Sequence, residues 1–431
     1  MDYRESIQFL KNLTKFGMNF GLERIEKLLS LLGNPHEKLQ YVHVGGTNGK
    51  GSTCMVLTNI LKNSGYDVGL FTSPHIHSYR ERFTINGEMI TEKRVAALIS
   101  KMRPYLEKMV EEGFEHPTEF EVNTAMAFQY FYEENVDLVV VEVGLGGAID
   151  STNVIKPLIS IITNVAMDHM NYLGNTIAEI ATVKAGIIKE GVPVITGATQ
   201  EALEVIEEVC SKKRAPLIVL NRDVKYQAKE ISIKGSSFDY FGKSNFRDLK
   251  IALLGEHQIS NAVMAVKAAE ILRDEGFVIT EDTIRKGLST VSWPARLEIF
   301  QRENPTILLD VAHNVDGMMA LKNTIERLFN YKRMILVLSL LEDKEREKVV
   351  QIMSPLAETV IVTKPNSDRA GDWEKVADFA SKYCSDVVLE PEITEAIKTA
   401  LSKSSMGDLL CITGSFYMVC DARMFLNNYR Y

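Results

Sequence analysis

A chain of 431 residues, 45% of them apolar and 25% charged, is long enough for two globular domains and has the composition of a soluble protein. A net charge of −8 excludes a general nucleic-acid or anionic-membrane binder, and no apolar run reaches the length of a membrane span. Asp2, Arg4, Glu5 and Lys11 break up the start, which does not read as a signal peptide, and five scattered cysteines without a CxxC pair read as reduced thiols of a cytoplasmic protein.

Residues 5–32 carry apolar positions at helical spacing, and Gly17 and Gly21 are expected to divide them into two helices. A strand at Tyr41–Val44 then runs into a glycine-rich turn, and a helix bearing Val56, Leu57, Ile60 and Leu61 follows directly. Strand, turn and helix in that order are the context a phosphate-binding loop requires. Successive backbone N–H groups must face one anion, so side chains have to be removed at the turn, and the helix N-terminus adds positive partial charge. Lys50 supplies a mobile cation, and Ser52 or Thr53 a hydroxyl suited to Mg²⁺. The stretch departs from G-x-x-x-x-G-K-[ST]: Val44 stands at its first glycine, and Gly51 separates Lys50 from Ser52. ATP binding is the expectation.

Strands are expected at Val68–Phe71 and Phe83–Ile85, the latter followed by an Asn86-Gly87 turn, and helices at 92–113 and 118–133. The near-continuous apolar run 137–143 reads as a strand buried on both faces, as do Ile159–Ile162 and 192–196, with a helix at 176–189 between the last two. This alternation predicts a doubly wound, mostly parallel sheet. Between Val224 and Leu254, alternating segments around Gly235 and Gly242 predict a small antiparallel sheet, and 255–273 reads as a helix. Pro294 should close the first domain, residues 1–295. A second, smaller Rossmann-like α/β domain, residues 296–431, is expected from strands near 307–310, 334–338, 360–363, 387–389 and 409–413.

Chemistry gathers at strand ends, where open α/β sheets bind ligands. Glu142 ends a buried strand before Gly144-Leu145-Gly146-Gly147 and suits Mg²⁺, which prefers hard oxygen donors. Asp168-His169 follows the next strand after a short loop. Lys184 lies on a helix of small and apolar residues, where it either turns inward or snorkels to water. Asp310, His313 and Asn314 cluster where a strand meets a helix, and Ser415 repeats that placement, unless it is only a helix cap.

Together these stretches resemble the folylpolyglutamate synthase/dihydrofolate synthase family of the Mur ligase superfamily over essentially the whole length. The motifs are GTNGKGS at 46–52, TSPH at 72–75, EVGLGG at 142–147, DSTN at 150–153, TNVAMDH at 163–169, KAGIIK at 184–189, GEHQISNA at 255–262, WPARLE at 293–298, DVAHN at 310–314 and TGSFY at 413–417. The modified phosphate loop is the form this superfamily uses. The resemblance implies an ATP-dependent ligase that adds L-glutamate to a reduced folate, and also to dihydropteroate, through an acyl phosphate, giving ADP and phosphate. It implies that Thr47, Asn48, Gly49, Lys50, Gly51 and Ser52 hold the ATP phosphates while Asn261, Arg296 and Asp310 clamp the nucleotide. Ser52, Ser73, Glu142, His169 and Lys184, the last as a carbamate, would form the Mg²⁺ site. Arg82, Asp150, His313 and Ser415 would face the substrates, with Lys50, Lys184 and His313 catalytic. Ala148 departs from the arginine that often follows GLGG in this family, in a loop that borders the pterin site. A monomer with small-molecule partners is expected; a P-loop kinase and a nucleotide-binding switch remain alternative readings.

Overall fold

The computed structural model describes residues 1–13 and 21–428. Helices at Tyr3–Asn12 and Glu23–Leu31 match the first expectation, and Gly17 lies outside the described residues. The first sheet contains β1 (Tyr41–Gly45), β2 (Val68–Phe71), β3 (Phe83–Ile85), β4 (Glu88–Met89), β5 (Leu138–Glu142), β6 (Ile159–Ile162), β7 (Val194–Thr196) and β8 (Leu217–Val219). Their order is β4-β3-β2-β5-β1-β6-β7-β8, with the β2-β3 and β3-β4 pairs antiparallel and the other pairs parallel. Every residue of β1, β2, β5 and β6 is buried, which explains their near-continuous apolar sequences.

Register decides what meets at the sheet's carboxyl edge. Val44 pairs with Glu142 on one side and Ile161 on the other, and Phe71 pairs with Val141. The phosphate loop leaving Gly45 is therefore flanked by Glu142, by Thr72 and Ser73, and by Thr163 and Asn164.

Strands β9 (Lys225–Ser232), β10 (Gly235–Phe241) and β11 (Asn245–Ile251) form the expected antiparallel sheet. Phe238, Tyr240, Phe246 and Leu249 join one core with the helices Lys50–Asn63 and Glu256–Asp274. The third sheet comprises β12 (Glu298–Gln301), β13 (Thr306–Leu309), β14 (Met334–Leu338), β15 (Thr359–Val362), β16 (Asp386–Leu389) and β17 (Leu409–Thr413), in the order β12-β13-β17-β14-β15-β16. All are parallel except β12, so the ends of β13, β14 and β17 open together toward the phosphate loop.

Several elements differ from expectation. The helix anticipated at 176–189 ends at Ala185, where the Val183 carbonyl accepts from Ala148 N at 2.8 Å instead of from Ile187 N, and Gly186 leaves room for that approach. The helix Gln200–Lys212 with edge strand β8, and the antiparallel β12, were not anticipated; β12 is half-buried along its length and gives a weak apolar signal.

His43, inside β1, is fully buried with Nε2 2.8 Å from Thr152 Oγ1. Burial, helped by the charge of Lys189, lowers its pKa to about 3 from 6.5. The unfolded chain therefore binds a proton below about pH 6.5 that the folded chain refuses, so this contribution to stability is complete above that pH and shrinks as pH falls toward 3. Urea unfolding at pH 7 and pH 5 should show a loss about 2 kcal/mol smaller in His43→Gln than in the wild type. An equal loss would mean that His43 titrates normally in the folded state.

Candidate active site

Sequence places two glycines where side chains cannot go and a third where one would be tight. Gly46 has φ +132°, and a Cβ there would overlap Thr163 Oγ1, which donates to Asn48 O at 2.6 Å and Gly45 O at 3.2 Å. Gly49, at φ +82°, caps the helix Lys50–Asn63 and faces Asn261 so closely that a Cβ would overlap its amide. A Cβ on Gly51 would come within 3.3 Å of the Trp293 ring. The helix's first α-helical bond runs from Thr53 N to Gly49 O at 2.9 Å, so the amides of Lys50, Gly51 and Ser52 precede it and face the cleft as anion donors. Asn164 anchors the loop by accepting from Thr47 N through its carbonyl at 2.9 Å and from Asn48 N through Oδ1 at 2.8 Å. Gly46→Ala should weaken binding of a non-hydrolysable ATP analogue about 100-fold in calorimetry, since neither φ nor space allows the methyl. Unchanged affinity would remove the loop from nucleotide binding.

Lys50 folds back to donate to Thr47 O at 3.1 Å. Glu142 is buried beside it, and its Oε2 accepts from Ser73 N at 3.3 Å. Burial raises the Glu142 pKa, while the charges of Lys50 and Arg296 oppose the rise. Lys184 does not snorkel. It is 4% exposed, and its Nζ donates to Gly46 O at 2.9 Å. Burial, and next the charge of Lys50, lower its pKa to about 7.

The second α/β layer supplies the facing wall. Asp310 follows β13 and accepts from Leu297 N and Ala312 N, both at 2.8 Å, which fixes the turn carrying Arg296. Asn314 caps the helix Val315–Leu328 and crosses to the first layer, donating to Asn48 Oδ1 and Asp168 Oδ2, both at 3.0 Å. His313 Nε2 lies 3.5 Å from Asp168 Oδ2, and Nδ1 is 2.9 Å from Val311 O. Lys344, after β14, donates to Asp168 Oδ1 at 2.5 Å. Burial works to raise the Asp168 pKa, but His313 and Lys344 hold it well below the usual carboxylate range. His169 is lowered to about 4 by burial and by Lys344, leaving a neutral imidazole at working pH. Ser415 is 1% exposed, and its Oγ has no partner among the described residues, so its side chain caps no helix there.

Apart from Asn314 and Trp293, these groups line one cleft of about 1040 Å³ between the two layers. Every site residue read from sequence borders it: the loop 47–52, Ser73, Arg82, Glu142, Asp150, His169, Lys184, Asn261, Arg296, Asp310, His313 and Ser415. Besides Lys50, Lys184 and Asp310, Arg82 and Asp150 are already engaged. Arg82 Nε donates to His75 Nδ1 at 3.0 Å, and Asp150 spends its oxygens on Leu145 N at 2.7 Å and Thr152 N at 3.0 Å. Ala148 is exposed and lies outside the cleft lining. The sequence reading missed Lys344 and the bridging role of Asn314; the position of Lys344 after a parallel strand was the available signal.

A phosphate loop on one α/β layer, facing strand-end donors of a second, defines an ATP-dependent ligase of the Mur type. Residues 44–269 match the Mur ligase middle domain and residues 295–416 the Mur ligase glutamate ligase domain. The chain is 38% identical to the dihydrofolate synthase/folylpolyglutamate synthase of Bacillus subtilis, over 98% of each chain. It superimposes on the folylpolyglutamate synthase of Thermotoga maritima with a TM-score of 0.85 at 39% identity, covering 99% of this chain and 96% of that one. The Mycobacterium tuberculosis folylpolyglutamate synthase, solved with ADP and AMPPCP, gives a TM-score of 0.90 at 30% identity, covering 98% and 99%. The chain belongs to the folylpolyglutamate synthase/dihydrofolate synthase family. It is an ATP-dependent glutamate ligase, and the kinase and switch readings are not favoured.

Proposed function

We propose that the enzyme phosphorylates the free carboxylate of a reduced folate with ATP, couples the acyl phosphate to the amine of L-glutamate, and treats dihydropteroate in the same way. The observation that carries this is the convergence of the phosphate loop and the Asp310, His313 and Ser415 strand ends on one cleft. A carboxylate is a poor electrophile, so a phosphate leaving group must be installed first. The loop amides and Lys50 neutralise charge on the transferring phosphoryl group, while Asn261, Arg296 and Asp310 hold the nucleotide. His313, Ser415 and Arg82 then border the incoming glutamate, whose neutral amine attacks the acyl carbon and expels phosphate. Holding three substrates between residues 1–295 and 296–431, proposed as the two domains, supplies much of the rate through proximity.

No group of three His, Cys, Asp or Glu able to hold a metal occurs among the described residues, so the proposed Mg²⁺ donors are of mixed type. They fit on chemistry: Glu142 is a buried carboxylate with one long hydrogen bond, beside the hydroxyl-bearing Ser52 and Ser73. Ser52, Ser73, Glu142, His169 and a carbamylated Lys184 would hold Mg²⁺, which supplies charge neutralisation on the phosphates. The proposed enzyme is a cytoplasmic monomer; no helix among the described residues is long and apolar enough to cross a membrane.

The test supplies ATP, Mg²⁺, labelled glutamate and either tetrahydrofolate or dihydropteroate. Glutamate-dependent ADP and phosphate with a new amide on each acid is the expected result. A stable phosphorylated acceptor, or turnover indifferent to glutamate, would contradict it.

A further inference from the structure

The backbone that presents Arg296 is held in an unusual conformation. Ala295 and Leu297, on either side of it, have φ +57° and +47°, a region that costs a non-glycine residue energy and persists only when neighbours impose it. Two carboxylates do so. Asp310 accepts from Leu297 N, and Glu298 Oε2 accepts from Ala295 N at 2.8 Å.

Glu298 is in turn clamped from the helix Phe416–Asn428. Arg423 donates through Nε to Oε2 at 2.8 Å and through Nη2 to Oε1 at 2.9 Å, in the bidentate geometry that fixes both partners. Its remaining arm, Nη1, donates to His77 Nε2 at 2.6 Å. His77 belongs to the loop between β2 and β3 that carries Ser73 and Arg82. Glu81 ties that loop together by accepting from the backbone amides of Ile76, His77 and Ser78 at 2.7, 2.9 and 2.7 Å. Ile76 then packs against the core around β13 and β17, in the opposite layer. One guanidinium therefore joins the loop bearing Arg82 to the turn bearing Arg296.

We infer that Glu298 and Arg423 are positioning residues: they hold the Ala295–Leu297 turn so that Arg296 meets the nucleotide, and tie that placement to the loop carrying Ser73 and Arg82. Neither has to touch substrate, and both act through Arg296. This rests on the nucleotide role of Arg296 proposed above.

The test is a double-mutant cycle on kcat/KM for ATP, with the thermal midpoint recorded for each variant. Arg423→Met keeps much of the buried stem and removes the clamp. It should lower kcat/KM for ATP about tenfold in the wild-type background and less than about twofold in Arg296→Ala, since residues acting as one unit are not additive. Arg423→Lys, which keeps the charge and loses the fork, should fall between. A purely structural role would give the same factor in both backgrounds. That outcome, or wild-type kinetics in Arg423→Met, overturns the positioning role while leaving the nucleotide role of Arg296 intact. Wild-type kinetics in Arg296→Ala alone would overturn both. If Arg423→Met does not fold, Glu298→Gln carries the same cycle, because it keeps an acceptor for Ala295 N and removes the charge that Arg423 grips.

Discussion

Replacing Lys50 by alanine is expected to lower kcat by about three orders of magnitude, equivalent to roughly 4 kcal/mol of transition-state stabilisation. The lysine is not a core residue: among the described residues its ammonium donates only to the Thr47 carbonyl of its own loop. Its neighbours Gly46 and Gly49 hold the loop's shape through Thr163 and Asn261. The variant should therefore keep its circular dichroism and thermal midpoint while losing ligation. The loss should fall mainly on kcat, because charge on the transferring phosphoryl oxygens is greatest in the transition state. A folded Lys50→Ala enzyme within tenfold of wild type would remove the lysine from the mechanism.

Lys184→Ala should lower kcat at least about 100-fold, for an electrostatic reason of a different kind. A protonated Lys184 beside the phosphate loop would add a cation where Lys50 already stands and where Mg²⁺ is proposed to sit. Burial instead favours the neutral amine, with a pKa near 7. A neutral amine attacks the carbon of dissolved CO₂: a C–N bond forms, one C=O electron pair moves to oxygen, and the nitrogen proton leaves to solvent. The carbamate carries a negative charge and two oxygen donors suited to a hard cation. Activity should fall in CO₂-depleted buffer and return with bicarbonate. Acetate should partly rescue Lys184→Ala, and the CO₂ response should weaken as pH drops below about 7 and the amine protonates. Full activity without CO₂, or a high-resolution map of the metal-bound enzyme with a bare ammonium, would contradict the carbamate.

The parts of this site legible in sequence were those where chemistry is local. The phosphate loop declares itself because strand, glycines and lysine are contiguous, and Glu142 because a carboxylate ending the run 138–141 has few structural uses. The inward turn of Lys184 was ambiguous: its helix is apolar enough to bury it, but only the packing against Gly46 decides the matter. The Asp168, Lys344 and His313 cluster was illegible as a unit, since its members come from opposite layers and are separated by up to 176 positions. The Glu298 and Arg423 pair was hidden for the same reason, and β12, which carries Glu298, was itself too half-buried to stand out. Likewise, the end of the helix at Ala185 follows from Ala148 N taking the Val183 carbonyl, a tertiary contact no periodicity encodes.

The central claim, that ATP is spent to activate a carboxylate for attack by glutamate, is tested most directly by oxygen transfer. The reduced folate or dihydropteroate is labelled with ¹⁸O in both oxygens of the carboxylate that receives glutamate and turned over with ATP, Mg²⁺ and glutamate. If an acyl phosphate forms, one labelled oxygen bonds to phosphorus and leaves with it. The account predicts one ¹⁸O in inorganic phosphate for each amide made, with the other retained in the amide. Unlabelled phosphate accompanying amide formation would contradict it.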